Sequence, residues 1–115
     1  MKKDPGVFLE HILECIDLIE EYSEGVSEAE FARSTPLQDM IVRRIEIIGE
    51  AVKNLPADLK REHPEIPWRD IAGLRDIVVH QYFGLDLGLI WDVVKKDITE
   101  LKPKILKMMD EMERR

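Results

Sequence analysis

Arg75-Asp76-Ile77-Val78-Val79-His80-Gln81-Tyr82 gathers a permanent cation, a carboxylate, an imidazole and a phenol within eight residues. A guanidinium offers a planar fork of donors that matches a phosphate. An imidazole moves protons near neutral pH. Arg-x4-His is therefore the least equipment with which RNA can be cut without a metal. Tyr82 adds a hydroxyl two residues beyond the His, and Gly84 closes the segment. If the stretch is helical, each residue turns about 100°, which sets Arg75 about 140° from His80 around the axis. Asp76 and His80 stand at i and i+4, on one face. The carboxylate can then fix the imidazole tautomer and raise the basicity of the other ring nitrogen. One phosphate does not readily meet Arg75 and His80 of a single chain. Two antiparallel copies of the helix would bring both pairs around a shared cleft, so an enzymatic reading expects a homodimer. The same spacing also serves a plainly structural end: a His near a helix C-terminus favours the dipole, and an Arg can simply stretch across the surface.

The elements that must position these groups are helices. Leu9, Ile12, Ile16 and Ile19 recur at helical spacing and predict a first helix over about residues 4–24, stopped by Gly25. Ser27-Glu28-Ala29-Glu30 is a capping box that opens a short helical turn. Thr35-Pro36-Leu37-Gln38 predicts a second main helix with Thr35 as N-cap, lined by Leu37, Ile41, Ile45, Ile48, Val52 and Leu55. A short segment from Ala57 to about Glu62 is bracketed by Pro56 and Pro64. Pro67 then begins a third main helix that runs to about Tyr82. Asp86 is the expected N-cap of the last, with Leu87, Ile90, Val94, Ile98 and Leu101 on one face. Pro103 should kink or interrupt that helix. The expectation is an all-α, up-down bundle of four main helices plus short helical segments, folded as one domain over residues 1–115.

Composition sets the outer limits. Charged residues are 36% and hydrophobic residues 44% of the 115, a balance that suits amphipathic helices. No apolar run approaches the roughly 20 residues of a membrane span, and the N-terminus lacks a signal-peptide core, so a cytoplasmic protein is expected. The net charge of −7 argues against nucleic acid at first sight. Residues 1–30, however, hold two Lys against nine Asp and Glu, which is the whole excess. The remaining 85 residues are balanced, and a local cationic site remains open.

Other groups read more plainly. Cys15 is expected as a small buried hydrophobe. His63, between Glu62 and Pro64, reads as an exposed loop residue, and His11 as a solvated group on the acidic first helix. Three scattered histidines and one cysteine give no metal-ligand spacing, so neither metal nor cofactor is expected. The acidic residues from Glu14 to Glu24 read as a solvated face. Met108, Met109 and Met112 read as packing, and Trp68 and Trp91 as core or interface anchors.

The segment Gly73-Leu-Arg-Asp-Ile-Val-Val-His-Gln-Tyr-Phe-Gly84 resembles the HEPN superfamily, and specifically its HepT-like toxin branch. Phe8-Leu-Glu-His-Ile-Leu-Glu is similar to that family's first helix, and Ile45-Glu-Ile-Ile-Gly-Glu-Ala51 to its second. Pro64-Glu-Ile-Pro-Trp-Arg69 matches the approach to its third and Ile90-Trp-Asp-Val-Val94 its last. The resemblance implies a dimeric helical bundle acting as a metal-independent endoribonuclease, the toxin of a type VII-like toxin–antitoxin system. Arg75 would stabilise the scissile phosphate, His80 would shuttle protons, and Asp76 would orient the His or touch RNA. The RNA's own 2′-hydroxyl would attack and leave a 2′,3′-cyclic phosphate. The resemblance further implies that a minimal nucleotidyltransferase antitoxin transfers AMP to Tyr82, in an assembly that could extend beyond the homodimer to a hetero-oligomer. A non-catalytic dimer that binds such a nucleotidyltransferase is the alternative, favoured by the overall acidity. A purely structural helical dimer would need only the apolar stripes.

Overall fold

Four of the described helices start where a side chain accepts from an amide of the first turn. The computed structural model describes residues 4–80 and 86–114, with the side chains of 77–80 left out. Helix α1 (Pro5–Ser23) is capped by Asp4, which accepts from the Gly6 amide at 2.8 Å. It ends before Gly25, whose φ of 71° is the left-handed conformation that glycine adopts without steric cost. Helix α2 (Glu28–Arg33) carries the expected reciprocal capping box between Ser27 and Glu30.

Helix α3 (Thr35–Lys53) corrects the sequence reading by one residue. Ser34, not Thr35, is its N-cap, accepting from the Leu37 amide at 3.3 Å. Gln38 does reach back, but to the carbonyls of Phe31 and Ala32, at 2.9 and 3.2 Å. It thereby closes the end of α2 against the start of α3. Helices α4 (Ala57–Glu62) and α5 (Trp68–His80) follow, joined by a tight turn. Asp86 caps α6 (Leu87–Asp92) as expected, at 3.0 Å from the Leu89 amide.

A π-helical stretch, Val93–Ile98, leads directly from α6 into α7 (Thr99–Glu113). Pro103 does not interrupt α7, which runs through it; the irregularity lies in the π-helical stretch ahead. No strand occurs among the described residues, and the architecture is the expected all-α bundle. None of the described helices is long and apolar enough to cross a membrane.

Helix α3 is the centre of the bundle, packed on α1 along one side and on α5 along the other. Leu9, Ile12, Ile16 and Ile19 of α1 meet Ile41, Ile45, Ile48 and Val52 of α3 in the core, where all are at most 1% exposed. Each such side chain contributes roughly 1.5–3 kcal/mol through burial. Ile98 at the end of the π-helical stretch and Leu101, Ile105 and Met108 of α7 close the core from the C-terminal side. Lys102 ties α7 to α1, with Nζ 3.0 Å from Asp17 and 2.9 Å from Glu20. Trp91 is buried against Phe31, with ring centroids 5.1 Å apart.

His63 differs from its expected exposure. It is buried, and its ring lies 3.4 Å from the Glu65 carboxylate and 4.0 Å from that of Glu111 on α7. The cause is the turn after α4. The His63 carbonyl accepts from the Ile66 amide and from the Trp68 indole, which folds the turn inward.

Cys15 is buried as expected. Burial pushes its thiol pKa up, against a smaller opposing contribution from Arg44. The thiolate is the reactive form, so the native protein should not react with Ellman's reagent at pH 8. Stoichiometric reaction is expected only after denaturant is added. Rapid labelling of the native protein would contradict this account.

Candidate active site

The site begins with a glycine. In α3, a Cβ placed on Gly49 would lie 2.7 Å from the Arg75 Cβ, 3.3 Å from its amide nitrogen and 3.4 Å from the Ala72 carbonyl oxygen. Only a residue without a side chain lets α5 approach α3 so closely. That approach lays the base of Arg75 directly on the α3 backbone and aims its guanidinium along the α3 surface.

Glu50, the next residue on α3, receives it: Arg75 Nε lies 2.9 Å from Glu50 Oε2. On the other side, Arg75 Nη1 is 3.8 Å from Asp76 Oδ1, and Asp76 Oδ1 is 3.6 Å from Lys53 Nζ. Glu50, Arg75, Asp76 and Lys53 thus form a line of alternating charge bridging α3 and α5. Arg75 keeps 38% of its side chain exposed and Glu50 56%, so pairs of this kind contribute only about 0–1 kcal/mol each. Orientation is the larger effect: Glu50 holds the guanidinium on its Nε side and presents the rest to solvent.

Arg75 opens onto a cleft of ≈ 370 Å³ between α1, α3 and α5. Phe8 and His11 line it from α1. Arg43, Glu46, Ile47, Glu50, Ala51 and Asn54 line it from α3. Arg43 pairs with Glu46 at 3.7 Å. Asn54 donates from its side-chain amide to the Glu50 carbonyl at 2.9 Å.

The sequence-predicted residues are placed as follows. Arg75 stands at the cleft. Asp76 is exposed beside it, and its described partners are the cations of Arg75 and Lys53. His80 is the last described residue of α5, one helical turn beyond Asp76. Its side chain, and all of Tyr82, lie outside the described residues. Among the described residues no group of three or more His, Cys, Asp or Glu side chains could hold a metal ion.

Glu50, Gly49 and His11 were not found by sequence reasoning. Gly49 does leave a trace, as a glycine inside an otherwise strong helix former. His11 is exposed, as expected of a solvated group, yet it shares the cleft with Arg75. Phe8 and His11 at i and i+3 mark the face of α1 that does so.

This is a helical bundle whose fifth helix carries an arginine beside an open cleft and a histidine five residues further along. The chain belongs to the ribonuclease HepT-like family of the HEPN superfamily, whose family model matches residues 12–108. It is 46% identical over 108 residues to a Thermococcus cleftensis protein named "Probable ribonuclease HepT", covering 94% of this chain and 98% of that one. It is 54% identical over 114 residues to a Methanocaldococcus jannaschii protein named "Gamma-glutamylcyclotransferase and putative RNase". That alignment covers 99% of this chain but only 51% of the relative, so the chain spans about half of that protein's length. No solved structure matches the chain.

Proposed function

We propose that the chain is a metal-independent endoribonuclease and the toxin of a toxin–antitoxin pair, working as a homodimer. The observation that carries this reading is Arg75, seated on α3 by Gly49, held by Glu50 and left part-exposed at an open cleft. Family membership and the names of the relatives support it. A guanidinium so fixed can take a phosphate oxygen on the donors that Glu50 leaves unused, and withdraw charge from phosphorus.

The reaction is an in-line transesterification. The 2′-oxygen forms a bond to phosphorus, the bond to the 5′-oxygen breaks, and the products are a 2′,3′-cyclic phosphate and a 5′-hydroxyl. His80 handles the proton that leaves the 2′-hydroxyl or the one that reaches the 5′-oxygen. A second copy of α5 supplies the other imidazole, because Arg75 and His80 of one helix diverge around its axis. Asp76 orients His80 or meets the RNA backbone. Tyr82 is the acceptor of AMP from a nucleotidyltransferase antitoxin: its phenol oxygen bonds the α-phosphorus of ATP as pyrophosphate leaves, and the added phosphate beside Arg75 would compete with RNA for it.

Unmodified protein, verified by mass, is incubated with total tRNA in EDTA. Cleavage leaving cyclic-phosphate ends is expected. Arg75→Lys, which keeps the charge but loses the planar fork, should cut at least about tenfold more slowly. Intact RNA across several RNA classes would overturn the nuclease. Tight binding to a nucleotidyltransferase in that event would favour a non-catalytic partner, consistent with the acidic α1.

A further inference from the structure

Arg75 by itself offers a phosphate little net charge. Glu50 sits on its Nε at 2.9 Å, and the two side chains together are neutral. Phosphate affinity comes from the charges neutralised, so the site needs a further cation. Such a cation must meet an anion that Arg75 also meets. Arg43 does not: it pairs with Glu46 and shares no described carboxylate with Arg75.

Lys53 does. Asp76 Oδ1 lies 3.6 Å from Lys53 Nζ and 3.8 Å from Arg75 Nη1, so both cations converge on one oxygen. At these distances Asp76 makes a full hydrogen bond to neither. The sequence explains the placement. Lys53 stands at i+4 from Gly49 and i+3 from Glu50, on the face of α3 that α5 approaches. The glycine that seats Arg75 therefore brings Lys53 beside it.

The geometry points to Lys53 as the second cation of the phosphate site, sharing the substrate phosphate with Arg75 at the place that Asp76 Oδ1 occupies in this structure. The inference rests on the ribonuclease reading for its substrate. The charge balance favours it. Asp76 is exposed, and its carboxylate can turn aside when a stronger anion arrives. Glu50, Arg75 and Lys53 then carry one net positive charge, which matches the one negative charge of a phosphodiester. Without Lys53 the same exchange leaves none. A guanidinium and an ammonium on one phosphate also oppose the charge that builds on its oxygens during in-line attack.

The probe is a short 2′-O-methyl oligoribonucleotide, which has no 2′-hydroxyl to attack, so binding is read without turnover. It is titrated with the unmodified full chain across a range of salt and followed by fluorescence anisotropy. Lys53→Gln should weaken binding about tenfold at low salt, the loss of one hydrogen bond between charged groups. It should also make the slope of log affinity against log salt shallower by about 0.7, one phosphate contact on a single strand. Lys53→Arg should keep both values. Asp76→Asn, which removes the competing charge, should tighten binding, and Lys53→Gln should still weaken it in that background. A circular dichroism spectrum of each variant separates a lost contact from a lost helix.

A folded Lys53→Gln protein with the affinity and salt slope of the parent would overturn the assignment. So would an effect of Lys53→Gln that vanishes in the Asp76→Asn background, since Lys53 would then act only by occupying Asp76. The two readings fail separately. Lys53-dependent binding without cleavage of unmodified RNA removes the nuclease and keeps the phosphate site. Cleavage with a parent-like Lys53→Gln removes Lys53 and keeps the nuclease. A parent that neither binds nor cleaves RNA overturns both.

Discussion

Gly49→Ala should leave the chain folded and still cost about a hundredfold in RNA cleavage. The new methyl would sit 2.7 Å from the Arg75 Cβ. Carbon atoms in contact stay about 3.5–4.0 Å apart, so α5 must retreat from α3 by roughly 1 Å. The obstacle is the root of a side chain and the backbone behind it, which cannot swing aside. Overpacking of this kind costs about 1–3 kcal/mol, while replacing glycine by alanine inside a helix returns about 0.8–1.0 kcal/mol. The net loss of stability is therefore about 0–2 kcal/mol, a modest fall in melting temperature. Catalysis is less forgiving: a displacement of about 1 Å can cost about 10²-fold. A thermal melt followed by circular dichroism, paired with single-turnover cleavage, separates the two effects. Parent-like cleavage in a folded Gly49→Ala protein would show that the α3–α5 approach does not set the site.

His80→Ala should abolish cleavage and cellular toxicity with little change in the fold. A positioned proton-transfer group contributes about 10²–10⁴-fold to rate, and no other histidine stands on α5. The substitution replaces a modest helix former with the best one within α5. The measurement is residual cleavage by the purified variant beside its far-ultraviolet spectrum. Full activity with a native spectrum would remove His80 from the mechanism. Inactivity with lost helicity would point to a structural role instead.

The fold was legible because its signals are local. Apolar spacing set the four main helices, and the Ser27–Glu30 box, Gly25 and Asp86 punctuated them where expected. The errors came where neighbouring residues offer the same chemistry. Ser34 and Thr35 both carry hydroxyls beside Pro36, and the cap fell to the first. His63 was misread because Glu62 and Pro64 look like surface loop, whereas a carbonyl accepting from the Trp68 indole buries the turn. At the site, Arg75 was visible through its spacing to His80. Glu50 was not, since it lies 25 positions earlier among other charged residues of a helix surface. Only the close packing at Gly49 brings the two together, and no short-range pattern encodes that approach. His11 was correctly read as exposed, but a shared cleft depends on three helices at once.

The π-helical stretch has a bearing on chain length. A widened turn of this type accommodates about one residue more than an α-helix needs, so the residues after it are rotated by about 100° from where an uninterrupted helix would put them. Helix α6 can thereby face α2 through Trp91 while α7 turns Leu101, Ile105 and Met108 towards the core beside α1. Removing one residue between Val93 and Ile98 would let the stretch close to ordinary α geometry with α7 still in register. The same deletion a turn after Pro103 would swing the remaining core positions out by about 100°. Between α6 and the end of α7, length variation is therefore tolerated at the π-helical turn rather than after the proline.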